Sequence, residues 1–334
     1  MTESPHRGDD QILPFQLDRL AVRGRLARLD ASIDRILTQH AYPAAISGLL
    51  AEAAVLAALI GSAIQPRRRF SLQIRGAGSV RLIAADYMAP ETEGGPPRLR
   101  AYADFDPQNP PPEDARDGFP LLGKGFFGVL VDQGTGQPYQ GITPLEGENL
   151  SDCAETYFAQ SEQVATRFAI AAAQAQEPGE APVWRAGGIM IQHMPAPGEH
   201  VREEAPPPQT LPGEPLPLMK ADNVAALSGG LEDWRAAAFK LGTVEPHELL
   251  GPHVAPEELL LRLYHEDEPR VFSAQPVEFG CACSAEKVSA ALGVYEPAEI
   301  ADMILEDGLV AADCQFCGAK YRFDPQTKTA VRLS

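Results

Sequence analysis

Four thiols near the C-terminus have a spacing that could do chemistry. They read Cys281-Ala-Cys283, then thirty residues, then Cys314-Gln-Phe-Cys317 followed by Gly318. Two close pairs on either side of a helix-sized insert form the pattern that encloses a tetrahedral metal ion. Each tight turn supplies two sulfurs, and the intervening chain folds back to bring the turns together. Four thiolates with no histidine nearby suit Zn2+, one ion per chain, with Cys281, Cys283, Cys314 and Cys317 as its ligands. Gly318 is expected to let the backbone turn and aim N–H groups at sulfur. The C-x-C half departs from the ordinary zinc ribbon, which uses C-x-x-C twice. A fifth cysteine, Cys153, lies far away in sequence and reads as a small buried side chain.

Such a cluster is either a permanent staple or a switch. Metal-bound thiols are deprotonated, and thiolate is the form that oxidants attack. Within each pair the sulfurs are near enough in sequence to join, and joining them would release the metal. On the residues alone both readings stay open. In either case the segment depends on its metal. Residues 276–334 carry few large apolar side chains, and a module that small is marginal without a staple. Structural zinc supplies about 10–16 kcal/mol in small domains.

The rest of the composition narrows the function. The net charge is −18, from 46 acidic against 28 basic residues, which suits neither nucleic acid nor its phosphates. Met1–Asp10 is polar, without the apolar core of a signal peptide. Ile46–Ile64 is apolar and nearly long enough to cross a bilayer, but Glu52 and many alanines favour a buried helix. A cytoplasmic protein with no membrane partner is expected. In that reducing compartment clustered cysteines are metal-bound or redox-active rather than permanently bridged. Gly118-x-x-x-x-Gly123-Lys124 opens like a phosphate-binding loop, but Gly125 stands where Ser or Thr is needed, and a strand-like run follows where a helix is needed. No nucleotide site is assigned. The seven histidines form no metal-spaced pair, and no Ser/His/Asp set emerges. No catalytic residue is assigned, and the chain is read as a non-enzyme.

The elements that must position the cysteines come from periodicity. Residues 1–14 are read as a disordered tail, and 15–221 as a body of mixed strands and helices. Residues 222–275 form a helical linker, and 276–334 the zinc module. In the body, Asp30–His40 is amphipathic, and Pro43–Ala63 has the apolar spacing of a helix. Alternating segments at Phe70–Ile74 and Val80–Ala84, joined by Gly76-Ala77-Gly78, predict a hairpin. Further strands are expected at Leu99–Phe105, Phe126–Val131, Val164–Ala171 and Gly188–Gln192. Gly187-Gly188 there permits close backbone approach. A short helix capped by Asn149 or Ser151 carries Cys153. Pro195–Pro217 reads as an extended, exposed insertion. In the linker, Leu231, Trp234, Phe239 and Leu241 are the few anchors, and Pro256 opens a helix. In the module, Ser284 caps one short helix and Pro297 opens another, with Ile300, Met303 and Ile304 facing inward. Short strands flank the second cysteine pair. The fold class is therefore α+β: a sheet-and-helix body, a helical linker and a small C-terminal zinc module.

Specific residue strings resemble a known family. Phe279-Gly-Cys-Ala-Cys-Ser with Asp313-Cys-Gln-Phe-Cys-Gly-Ala-Lys-Tyr-Arg-Phe resembles the zinc centre of the redox-regulated 33 kDa chaperonin family (heat shock protein 33). Pro138-Tyr-Gln-Gly-Ile, Tyr157-Phe-Ala-Gln-Ser-Glu-Gln and Gly187-Gly-Ile-Met-Ile-Gln resemble its body, and Glu257-Glu-Leu-Leu-Leu-Arg-Leu-Tyr-His-Glu its linker. The resemblance covers about Phe15 to Phe323. It implies an ATP-independent holdase, inactive while reduced and zinc-bound. Oxidation would form the disulfides Cys281–Cys283 and Cys314–Cys317, release zinc and melt the module. The linker would then loosen, client proteins would bind, and the activated chain would form a homodimer. No client-binding residue is assigned. Against this stand a structural zinc ribbon without a switch, which the charge and the C-x-C spacing disfavour, and a dithiol oxidoreductase. The latter needs its C-x-x-C at a helix N-terminus, whereas a knuckle and strand follow Cys317.

Overall fold

In the computed structural model of the chain, residues 9–112, 115–176, 179, 181–194, 220–227 and 230–333 are described. The proline-rich stretch 195–217 lies outside them, as do residues 1–8. Strands β1 (Gln11–Leu17) and β2 (Val22–Leu29) come first, then helices α1 (Ala31–Thr38) and α2 (Ala44–Ile64). Next are β3 (Arg69–Gly76), β4 (Val80–Met88), β5 (Arg98–Phe105), β6 (Gly125–Asp132) and β7 (Tyr139–Pro144). Helix α3 (Leu150–Tyr157) precedes β8 (Thr166–Ala175) and β9 (Val183–His193). The following segment holds α4 (Ala221–Leu227), α5 (Leu231–Leu241), α6 (Pro246–Leu250) and α7 (Pro256–Tyr264), then three two-residue strands: β10 (Arg270–Val271), β11 (Gln275–Pro276) and β12 (Glu278–Phe279). The C-terminal part holds α8 (Ala285–Leu292), α9 (Pro297–Met303), β13 (Val310–Asp313), β14 (Lys320–Asp324) and β15 (Thr329–Arg332). The mixed α+β class expected from periodicity is what the chain adopts.

Helix α2 is the centre of the body. It is apolar on every side, so it must be buried on every side. One sheet, ordered β10-β1-β2-β9-β8 with β11 also on β1, packs against it from one side. The other, ordered β12-β5-β4-β3-β6-β7, packs from the opposite side. By length and composition this helix could cross a membrane, but 83% of its apolar window is buried between the sheets. Gly61 lets the β4 backbone lie close, since a Cβ there would stand 2.6 Å from that of Tyr87. Beneath the first sheet, a Cβ on Gly187 would run into the Leu249 carbonyl oxygen, so the expected close approach is made by α6. The β3–β4 hairpin forms through Gly76–Gly78 as the alternation implies.

The segment 222–275 is better anchored than its sequence suggests. Helices α4 to α7 cover the outer face of the first sheet, where Trp234, Leu241, Leu259, Leu260 and Tyr264 bury against Phe15, Leu26, Ile189 and Ile191. Phe239, expected as an anchor, is 76% exposed, because it points away from this face. Arg28 and Arg185 rise from the sheet to bind the end of α6. Arg28 donates to the carbonyls of Glu248 (2.9 Å) and Leu249 (3.2 Å), and Arg185 to that of Leu250 (2.9 Å). Asp9 and Asp30 neutralise Arg185 at 2.7 and 3.5 Å. These carbonyls are among those a helix end leaves unpaired.

Three further expectations are corrected. A tail over 1–14 is too long: Gln11–Pro14 belongs to β1, with Ile12 and Leu13 in the core and paired to Ala27 and Leu26. Met303 and Ile304 are 39% and 41% exposed, because α9 covers only one position, Ile300, and its C-terminal turn at Met303 and Ile304 faces solvent. Strands β7 and β15 were not expected, since both are mostly exposed and lack the alternation of a half-buried strand. Among the described residues the three-stranded sheet β13-β14-β15 has a small core: Ile300, Val310, Phe323 and Ala330 cluster together, and Tyr321 is buried beside Cys283.

Candidate metal centre

The two cysteine pairs are delivered by different devices. Strand β12 adds in parallel to β5, and Gly280 N–H reaches the Leu99 carbonyl at 3.0 Å, so Cys281 emerges directly from the edge of the body sheet. Cys283 is followed by Ser284, whose hydroxyl accepts from Lys287 N–H and starts α8. The second pair sits in the turn between β13 and β14. There Cys314 N–H bonds the Ala319 carbonyl and Gly318 N–H the Cys314 carbonyl, each at 2.8 Å. Gly318 has φ +64°, the left-handed conformation expected of it. Its N–H, however, goes to a carbonyl oxygen rather than to sulfur. The N–H groups of Phe316, Cys317 and Ala319 face the Cys314 and Cys317 sulfurs instead.

The sulfurs of Cys281, Cys283, Cys314 and Cys317 all lie within 4.8 Å of one another. Cys281 Sγ is 3.7 Å from Cys314 Sγ, and Cys283 Sγ is 3.4 Å from Cys317 Sγ. A tetrahedron of sulfurs about 2.3 Å from zinc has edges of about 3.8 Å. The four are free thiols in a geometry that fits a metal ion. The Cys281 thiol is held down at about 4, first by its hydrogen bond with Cys314, against burial, and further by the Cys283 N–H and the Arg100 guanidinium. Cys314 is pushed up by the same hydrogen bond and by burial, and Cys317 is pushed up to about 11, chiefly by burial.

Residues beyond the cysteines complete the site, and sequence reading missed them. Arg100 Nη1 donates to Cys281 Sγ at 3.6 Å, and Tyr321 Oη donates to Cys283 Sγ at 3.2 Å. Arg100 is fixed by buried Asp86 at 2.6 Å and lies 3.9 Å from the Phe316 ring centroid. Phe316 also meets Tyr102 edge-on, centroids 4.8 Å apart. The Phe316 tip of the cysteine knuckle is therefore clamped on β5 of the body. One signal was available: Asp86 interrupts an apolar strand, and a buried carboxylate needs a cation. Cys153, as expected, stands apart. It is fully buried on α3, its thiol 3.6 Å from the Glu146 carbonyl and pushed up to about 12 by burial. The rejected phosphate loop has only a single turn at Phe119–Leu122 before strand β6, and no helix N-terminus.

With this geometry in place, comparison with known proteins is decisive. The family described as Hsp33 protein matches residues 10–324. The chain belongs to the Hsp33 family. A 33 kDa chaperonin of Caulobacter vibrioides (strain NA1000 / CB15N) is 37% identical over 324 residues, covering 95% of each chain. One of Aeromonas salmonicida (strain A449) is 30% identical, covering 94% of this chain and 92% of that protein. The crystal structure of the Thermotoga maritima 33 kDa chaperonin (heat shock protein 33 homolog) superposes with a TM-score of 0.71 over 96% of both chains, at 20% identity. That likeness shows a shared fold over nearly the whole chain. Family membership makes the chain a chaperone.

Proposed function

We propose that this chain is a cytoplasmic, ATP-independent holdase switched on by oxidation of its metal centre. The observation that carries the reading is the convergence of four thiols in a module with five buried apolar residues. Cys281, Cys283, Cys314 and Cys317 would hold one Zn2+, which when bound supplies a four-point cross-link between the two halves of the module. Everything else is done by the chain. Thiolate is the nucleophile toward peroxide. Each dithiol gives up two electrons and two protons and becomes a disulfide, while the peroxide becomes two waters.

We assign the disulfides as Cys281–Cys283 and Cys314–Cys317. The shortest sulfur contacts in the reduced chain cross between the halves, so reach alone does not select this pairing. What favours it is that sequential pairs stay together once the halves separate, since their loops are the shortest to close. Without the cross-link, the five buried apolar residues Ile300, Val310, Tyr321, Phe323 and Ala330 do not balance the entropy of ordering the module. Its melting frees β12 from β5 and removes Phe316 from Arg100. The linker, residues 222–275, is continuous with β12 through β10 and β11. As it loosens from the first sheet it uncovers Phe15, Leu26, Ile189 and Ile191, an apolar surface suited to unfolding client proteins. The same surface provides for a homodimer of the activated chain. No chemistry on the client is required, which makes the protein a binder rather than an enzyme.

The test is light scattering from a chemically unfolded client diluted into buffer. It is run with the reduced, zinc-loaded chain and with the chain treated with peroxide at raised temperature. Suppression of aggregation after oxidation only is expected. Equal suppression in both states makes the metal a staple and the chain a constitutive binder. No suppression in either returns it to a structural zinc-ribbon protein.

A further inference from the structure

A cavity of about 590 Å³ opens beside the cysteine cluster, between the body sheet and α8. Its size falls in the ~300–1,000 Å³ range of ligand sites. Six cations line it: Arg67, Arg68 and Arg69 at the start of β3, Arg98 and Arg100 on β5, and Lys287 on α8. No carboxylate lines it. In a chain of net charge −18 such a concentration of positive charge is costly unless something neutralises it. Two carboxylates behind the wall do so in part. Asp86 serves Arg100 at 2.6 Å and Arg69 at 3.7 Å, and Glu91 pairs with Arg98. Arg67 and Arg68 form no ion pair among the described residues, and Arg98 Nε is buried without a hydrogen-bond partner. Lys287 Nζ has only the Ala282 carbonyl. Cys283 also lines the cavity and Arg100 reaches Cys281 Sγ, so the thiolates of the cluster answer a further part of this charge and leave Arg67 and Arg68.

We infer that this cavity binds a compact multivalent phosphate anion, a linked chain of two or three phosphates. The cations come from three separate elements, β3, β5 and α8, which suits an anion carrying several charged groups better than a single phosphate. Guanidinium groups suit the ligand because their planar forks pair two N–H groups with two phosphate oxygens. The bound anion would touch β3 and β5 on the body and Lys287 on the module. It would therefore tie the two together and stabilise the docked state by mass action. The site does not depend on the chaperone reading. An inorganic phosphate chain and the tail of a nucleoside triphosphate share this chemistry.

The experiment is calorimetric titration of the reduced, zinc-loaded full chain with tripolyphosphate and, separately, with ATP, at low salt. Tripolyphosphate binding that weakens as salt is raised toward 0.5 M, where the Debye length is about 4 Å against about 30 Å at 0.01 M, is expected. Arg67→Gln with Arg68→Gln should weaken it roughly tenfold or more, through loss of two charge-assisted contacts. Lys287→Gln should weaken it from the module side. Arg235→Gln, on the exposed face of α5, should leave it unchanged. Tighter binding of ATP than of tripolyphosphate identifies a nucleotide tail as the ligand; equal or weaker binding identifies the inorganic chain. Absence of binding below about 1 mM of either probe overturns the inference. Affinity untouched by the Arg67/Arg68 variant overturns it too. So does a variant that only speeds loss of zinc, since the arginines would then serve the thiolates alone.

Discussion

Replacing Phe316 with alanine isolates the contact that holds the cysteine knuckle on the body. Phe316 ligates nothing, so the four sulfurs keep their places. Arg100 keeps its ion pair with Asp86 and its hydrogen bond to Cys281. Two interactions are lost. The edge-to-face pair with Tyr102, at 4.8 Å, is worth about 0.5–1.5 kcal/mol. The guanidinium stacked at 3.9 Å is worth about 0.5–2 kcal/mol for a partly desolvated site. Together they amount to about 1–3 kcal/mol, which raises the undocked population roughly 5–150-fold. If oxidant reaches the sulfurs chiefly from the undocked state, peroxide-driven zinc release should accelerate by a similar factor. A chromogenic chelator reads the release under peroxide, and hydrogen exchange of β5 and β12 amides reads the docking. Release and exchange both within twofold of the parent chain would refute the clamp.

Other consequences follow from the same geometry. Trp234→Ala should cost about 3–5 kcal/mol in urea unfolding of the reduced chain, because the ring is fully buried under the linker. Phe239→Ala, five residues on but exposed, should change stability by less than about 0.5 kcal/mol. Glu52 is raised to about 7 from its ordinary 4.5 by burial in α2, with Asp117 adding to the shift. The folded state therefore keeps a proton that the unfolded chain has already lost. That contribution is complete below about pH 4.5 and disappears as pH rises through about 7. Glu52→Gln should match the parent at about pH 4 and exceed it by on the order of 3 kcal/mol at pH 8; equal stabilities at pH 8, read by thermal melts, would refute this. Arg185→Met leaves the Leu250 carbonyl without its side-chain donor and Asp9 with Arg28 alone, at 3.9 Å, and should speed hydrogen exchange in α6 while β3 and β6 stay protected. A chelator with reductant present should melt the module without any disulfide, seen as loss of exchange protection at β14.

The cysteine site was the most legible part of the chain, since four soft ligands at that spacing serve few purposes. Its capping residues were equally plain: Ser284, Asn149 and Gly318 act through local backbone geometry, which neighbouring residues determine. Helix α2 was legible because a 21-residue run with sixteen Ala, Val, Leu and Ile residues admits only a buried or membrane-spanning helix. What could not be read were contacts between residues far apart in sequence. Nothing around Arg100 indicates that Cys281 and Phe316 will lie on it, and nothing around Arg28 indicates the end of α6. Phe239 and Ile304 misled for the complementary reason. A large apolar side chain favours burial, but a helix with one covered face leaves some of its apolar residues in water. Edge strands β7 and β15 were missed because exposure on most positions removes the alternation by which a strand is recognised.

The central claim is that oxidation melts the cysteine module while the body persists. Hydrogen exchange with mass spectrometry, on the reduced zinc-loaded chain and on the same chain after peroxide at raised temperature, tests it most directly. The account requires residues 281–332 to lose protection with zinc, α5 and α7 to loosen after them, and β3, β4 and β6 to remain protected. A module that keeps its protection after zinc has left, or a body that melts together with it, would contradict the account.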